Sequence, residues 1–313
     1  MGWLSALFGT KAAEPADDAD VEAAAPPEPQ VDGTDDAGDG TAAQEAAVTA
    51  ALDALAEETM TDCLRLTLTP ASAAGALRPW SSKVGGRPYV QGGGHFPRGK
   101  GAFAGQRLHL LAQLNFAELP ALAGLPSTGL LQVFVAADER PNRVYGADPA
   151  NPTAPDGFRV VYHPRLIEDE SLLAAIVPDP LAEPFLPVAG ECGLTGEVVS
   201  QPMSSTDHRF EERLTALVRT TLGTDDVPDW VRSAAAERFD SPGGHQVGGY
   251  PGLSSTPDPR EQFPEHTTLL FQLASGSTDG VEIAWGDGGV GAFFVAPDRL
   301  AARDFSDVLY TWG

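Results

Sequence analysis

The stretch His245-Gln-Val-Gly-Gly-Tyr-Pro251 concentrates reactive side chains around a pair of glycines. Gly248 and Gly249 let a backbone come close to a ligand, and exposed N–H groups in such a turn can cradle an anion. His245, Gln246 and Tyr250 surround them, and Asp258 and Arg260 follow. An imidazole beside a carboxylate is the usual acid–base pair. His245 with Asp258, or with Asp287 in the turn Trp285-Gly-Asp-Gly-Gly, is the pair a hydrolase would use here. The plainer expectation is that the glycines make a turn and His245 bonds backbone. There is no nucleophile elbow, phosphate-binding loop or dinucleotide fingerprint, and His95, His109, His163, His208 and His266 lack metal-ligand spacing. No catalytic residue, metal or cofactor is assigned.

An earlier stretch, Lys83-Val-Gly-Gly-Arg-Pro-Tyr89, echoes the first. From the glycine-pair valine to a Leu-x-Gln-Leu motif is 29 residues in one copy, ending at Gln113, and 25 in the other, ending at Gln272. From the glutamine to Phe134 or Phe294 is 21 and 22. Ordered matches at near-equal spacing indicate a diverged duplication. Lys83, Gly85, Gly86 and Arg87 would then face the His245 turn across one groove, making a cleft between the copies. Gln113 and Gln272 fall at matched strand positions. Buried amides need hydrogen-bond partners, and these two are expected to bridge backbone, with ligand contact the alternative. Trp285 joins the candidate binding residues.

The positioning elements follow from periodicity. Val48, Leu52 and Leu55 form one stripe of a helix over 43–58. Period-two or apolar runs at 64–68, 109–116, 129–135, 158–163, 268–273, 281–285, 290–295 and 307–312 predict strands, with 109–116 and 129–135 pairing antiparallel. Glu197-Val-Val-Ser200 is a further strand candidate within a proline-broken region. Phe210, Leu214, Leu217 and Val218 predict a helix capped by Thr206, and Trp230, Val231 and Ala234 the inner side of another over 228–238. This helical pair, within about 205–240, reads as an insertion between repeat-like units at about 62–165 and 243–313. A short helix near 298–303 is also expected. The fold class expected is α+β, β-rich, with mostly antiparallel sheets and a few peripheral helices.

Net charge is −24, and residues 1–62 hold 15 acidic side chains against one base, Lys11. Such a surface repels phosphate backbones and disfavours nucleic acid. Residues 1–42 are expected to be a disordered acidic tail, because the Ala/Asp/Pro/Gly tract in 12–42 has too few large apolar side chains to order itself. Trp3, Leu4, Leu7 and Phe8 make a small apolar stripe, read as a frayed end, with a docking hook the alternative. The chain shows no signal peptide and no bilayer-length apolar run, so a cytoplasmic protein is expected. Cys63 and Cys192 are expected to be reduced, buried thiols.

Six ordered motifs carry a family resemblance: Ser82-Lys-Val-Gly-Gly, Leu111-Ala-Gln-Leu-Asn with Glu118, Gly129-Leu-Leu-Gln-Val-Phe, His245-Gln-Val-Gly-Gly-Tyr-Pro, Trp285-Gly-Asp-Gly-Gly-Val-Gly-Ala-Phe-Phe-Val and Asp304-Phe-Ser-Asp-Val-Leu-Tyr-Thr-Trp. Over about residues 60–313 the chain resembles the YwqG-like family, bacterial proteins of unknown function. The resemblance implies a mixed β-rich fold and an immunity-type or interaction role. Many relatives carry a glutamine shortly after the His245 motif. Here Ser254-Ser-Thr-Pro stands instead, so a polar site there does not transfer. The function expected is a non-catalytic binding or interaction module with a protein partner of unknown identity. The alternatives are the His245 hydrolase and a small-ligand protein.

Overall fold

A computed structural model describes residues 36–74, 77–140, 143–175, 185–240, 243–253 and 256–313. The expectations for Trp3–Phe8 and most of the acidic tail lie outside them. The chain divides into two compact units, 1–42 and 43–313, and the second holds every strand below.

Helix α1 runs Asp36–Glu58, starting earlier than the apolar stripe indicates. The strands are β1 (Thr61–Thr69), β2 (Lys83–Gly85), β3 (Leu108–Asn115), β4 (Leu130–Ala136), β5 (Phe158–His163), β6 (Val188–Gln201), β7 (His245–Gly248), β8 (Thr268–Ala274), β9 (Gly276–Thr278), β10 (Val281–Ile283), β11 (Val290–Val295) and β12 (Leu309–Trp312). Short helix α2 is Ala71–Ala74. Helices α3 (Phe210–Leu222) and α4 (Asp229–Arg238) lie between β6 and β7, and α5 is Pro297–Ala302. The expected β-rich α+β class is what forms.

The main path of the sheet runs β12-β11-β8-β7-β1-β6-β2-β3-β4-β5, and every pairing in it is antiparallel. The strands order themselves symmetrically about the β1–β6 ladder. Outward from β6 lie β2 to β5, the first copy, and outward from β1 lie β7, β8, β11 and β12, the second. The registers agree. Val84 stands opposite Cys192 on β6, and Val247 opposite Leu64 on β1. Lys83 pairs Gln113, which pairs Gln132; Gln246 pairs Gln272, which pairs Ala292. Both copies carry a bulge at the same place, between Leu110 and Ala112 in β3 and opposite Phe293/Phe294 in β8. A pseudo-twofold through the Thr67–Thr195 pair relates these registers.

The two copies share one core. Leu64, Val84, Leu114, Val247, Phe271, Phe293 and Trp285 are buried in a single cluster. A second cluster joins Val48, Leu52 and Leu55 of α1 to Phe210, Leu214 and Val218 of α3 and to Val231 and Ala235 of α4. Helices α3 and α4 therefore pack on α1. Two local expectations are corrected. Trp230 is 40% exposed, because the buried stripe of α4 is Val231 and Ala235 and its neighbour points elsewhere. Thr206 does not cap α3: its hydroxyl donates to Pro251 O, and Asp207 accepts from Arg209 N just before the helix. The proline-broken region also differs, for β6 is one continuous strand through Glu197–Ser200.

Candidate functional site

Symmetry places the glycine turns far apart. Gly85 stands level with Glu191, and Gly248 with Cys63, whose partner on β6 is Val199. Eight residues of strand separate those levels, about 26 Å at roughly 3.3 Å per residue. The single groove expected between the turns is therefore overturned: a twofold normal to an antiparallel ladder sends matched turns to opposite ends.

Each turn is packed for structure. Gly85, Gly86, Gly248 and Gly249 all have φ between 65° and 72°. A Cβ on Gly249 would lie 2.4 Å from Gln201 Nε2, and one on Gly86 2.2 Å from the Glu191 carboxyl carbon. Gln246 donates to Tyr250 O at 2.6 Å, and the Tyr250 hydroxyl donates to Thr59 O at 2.8 Å. Lys83 is buried and donates to Glu191 at 2.6 Å; burial pushes its pKa down despite that partner. Arg87 donates to Ala174 O. Trp285 is buried, its ring edge-on to Tyr145.

The acid–base pairing is not assembled. His245 Nδ1 accepts from Ala274 N at 3.1 Å, and burial pushes its imidazole below the ordinary 6.5. Among the described residues no hydrogen bond or ion pair joins it to Asp258 or Asp287. Asp258 is buried and bound to Arg260, and Asp287 is exposed.

Gln113 and Gln272 do bridge backbone, and in the same way. Gln113 Oε1 accepts from Tyr89 N and its Nε2 donates to Ser81 O; Gln272 Oε1 accepts from Gly252 N and its Nε2 donates to Gly244 O. The acceptor and donor positions match through the glycine turns. In the first copy the network continues. Gln132 Nε2 donates to Tyr89 O at 3.1 Å and to Gln113 Oε1 at 3.0 Å, and Gln132 Oε1 lies 3.0 Å from His163 Nε2. Backbone groups fix both amides, since Tyr89 N can only donate and Tyr89 O only accept. His163 Nε2 must therefore carry the proton and donate, leaving Nδ1 as an acceptor.

This relay lines a cavity of about 200 Å3 with Tyr89, Gln91, His95, Phe134 and Val161. The Tyr89 and His163 rings meet edge-on at 5.2 Å. A second cavity, about 660 Å3, shares Val90, Gly94 and His95 with the first and adds Phe96, Arg98 and Arg107. Burial lowers the His163 pKa below 6.5, so the ring is neutral at pH 7. A histidine NMR titration should show His163 with an Nε2-protonated neutral tautomer and a midpoint below 6.5. The unfolded chain binds that proton more readily, so this residue's contribution to stability is complete above about 6.5 and declines as pH falls toward the folded midpoint.

The second copy has no such relay. Ala292 stands where Gln132 is, Gly313 where His163 is, and Gly252 where Tyr89 is. A family model described as Domain of unknown function (DUF1963) matches residues 82–313. The chain belongs to that family. The DUF1963 match takes in both copies and the whole relay, while β1, which the two copies flank, precedes it. No curated protein matches the chain. Within this DUF1963 chain the relay leaves no trace in the repeated motifs, because Gln132 and His163 have no counterparts in the second half. The available signal was local: Gln132 is the one polar residue in Leu-Leu-Gln-Val-Phe-Val, and a buried amide demands partners. Among the described residues no helix is long and apolar enough to cross a membrane, and no cluster could hold a metal ion.

Proposed function

We propose that this chain is a YwqG-like, non-catalytic binding module of the cytoplasm, and that its ligand is a small molecule seated against Tyr89, Gln132 and His163. One observation carries this: the two copies build the same sheet, yet only one carries the relay. The second copy folds with Ala292 and Gly313 at the matched places, so the sheet itself does not require an amide and an imidazole there. Convergent polar groups in an otherwise apolar cavity are the usual mark of a small-molecule site. Binding is favoured over turnover because the His163 proton is held by an amide, which positions a ring but does not stabilise its charged form. A protein partner of regulatory or immunity type is the second reading. Leu172, 56% exposed, supports it: its carbonyl accepts from Gly92 N at the rim of the cavity loop.

Protein-observed NMR with a library of neutral ring fragments tests the first reading. Hits should shift the resonances of Tyr89, Gln132 and His163. Gln132→Ala, which copies the second copy's residue, should abolish those shifts. Hits that cluster elsewhere, or that persist in the variant, would count against the cavity as the site.

A further inference from the structure

We infer that the inner cavity selects a neutral ring bearing an N–H or O–H donor, a phenol or an N–H heterocycle, and that His163 Nδ1 accepts that hydrogen; this rests on the small-molecule reading above. Size agrees with a single ring. A cavity of about 150 Å3 accepts benzene, and this one is about 200 Å3. Phe134 and Val161 give it apolar walls.

The amide and imidazole donors of the relay are spent. Gln132 Nε2 donates to Tyr89 O and to Gln113 Oε1, and His163 Nε2 donates to Gln132 Oε1. Gln91 Nε2 donates to the Tyr89 hydroxyl at 3.3 Å and to Arg165 O at 3.4 Å. The Tyr89 hydroxyl also accepts from Ile167 N at 2.8 Å, and that side chain is fully buried.

What stays open is a pair of acceptors. His163 Nδ1 and Gln91 Oε1 bond no group of the protein among the described residues, and neither atom is sealed from solvent. The two differ in how firmly they are held. Gln132 fixes the His163 tautomer, and the Tyr89 ring meets the imidazole edge-on at 5.2 Å. An acceptor already locked in place costs little further ordering when a ligand arrives. The Gln91 amide is tethered by two long bonds only, so His163 is the residue that reads the ligand.

Other ligand classes fit less well. A ring with acceptors alone, such as an ether, would cover Nδ1 and leave it without a partner, which costs more than the bond itself is worth. An ammonium has the hydrogens but brings a charge. No carboxylate lines this cavity among the described residues, so that charge would be desolvated without compensation.

The test uses the full chain and protein-observed NMR titrations at neutral pH with two matched pairs, phenol against anisole and pyrrole against furan. The first of each pair carries the donor and the second lacks it. Phenol and pyrrole should bind about fivefold or more tighter than their partners, as an unsatisfied buried acceptor requires. The nitrogen resonance of His163 Nδ1 should move upfield far more with phenol than with anisole. His163→Phe should erase the preference, and Gln91→Leu should keep it. If the members of each pair bind equally and still shift Tyr89 and Gln132, the donor inference is overturned while the small-molecule reading stands. If the preference survives His163→Phe, vanishes in Gln91→Leu, or leaves Nδ1 unmoved in the wild type, the assignment to His163 is overturned. The wild-type Nδ1 shift decides alone should His163→Phe not fold. If none of the four probes binds, both the inference and the small-molecule reading fall.

Discussion

Arg260→Ala should lower the free energy of unfolding by about 3–5 kcal/mol, because it leaves buried carboxylates without their counter-charge. Arg260 Nη2 donates to Asp207 at 2.8 Å and to Asp258 at 2.6 Å, and all three side chains are at most 3% exposed. Its Nη1 donates to Thr267 O, just before β8, and its guanidinium lies over the Phe294 ring at 5.1 Å. One cation therefore ties the approach to α3, the loop after β7 and the start of β8. Asp207 retains Arg209 at 2.8 Å, so the heavier loss falls on Asp258. Urea denaturation measures the change. A cost below about 1 kcal/mol, the ordinary scale of exposed pairs, would refute the buried-charge account. Replacing all three by apolar residues of similar volume should restore most of the loss, since buried ion triads are often no better than hydrophobic packing.

The same cluster sets an acid limit. Burial pushes the Asp207 carboxyl up, but the Arg209 hydrogen bonds and the Arg260 charge outweigh it and hold the group at about 2. A carboxyl with a depressed folded pKa contributes stability that is present above the unfolded value near 3.8 and is lost as pH falls toward 2. Acid unfolding of the wild type should therefore steepen across that window, and Asp207→Asn should remove the steepening.

Gly85→Ala should cost about 2–5 kcal/mol, combining a left-handed backbone penalty with overpacking. Gly85 has φ +65°, and a Cβ there would meet Gly190 O at 2.2 Å and Val188 Cγ1 at 3.0 Å. The crowding atom is backbone, where β2 leaves β6 and β10 joins it, so no side chain can swing aside. Gly93 is the control. Its φ is +78°, yet nothing lies within 4 Å of an added Cβ. Gly93→Ala should therefore cost only the backbone penalty, about 1–2 kcal/mol. Equal urea midpoints for the two variants would rule out crowding as the reason for the Gly85 requirement.

The matched motifs were legible in the sequence because glycine pairs and the strand glutamines answer local backbone demands that recur on both sides of the ladder. Gln113 and Gln272 each receive an N–H three residues beyond their own glycine pair and donate to a carbonyl two residues before β2 or just before β7. The groove was not legible. Motif spacing along a chain carries no information on which end of a ladder a turn occupies; that is fixed by the Cys63–Val199 and Thr69–Gly193 registers. His245 stands out by its neighbours in sequence, whereas His163 gains its partners from β4 and the Tyr89 loop, which only folding brings together. Trp230 was misplaced because a helix turns about 100° per residue, so neighbours in sequence occupy different faces.

The pseudo-twofold also bears on how the chain emerges from the ribosome. Strand β1 is made before either of its ladder neighbours, and Asp62 meets Ser200 only 138 residues later. At translation rates of 5–20 residues per second, that wait is roughly 7–28 s. Through that interval nascent β1 presents two bare edges and an apolar side, the kind of surface that chaperones shield and that drives misassembly when they do not. The central strand of the finished protein is thus the most vulnerable one during its birth.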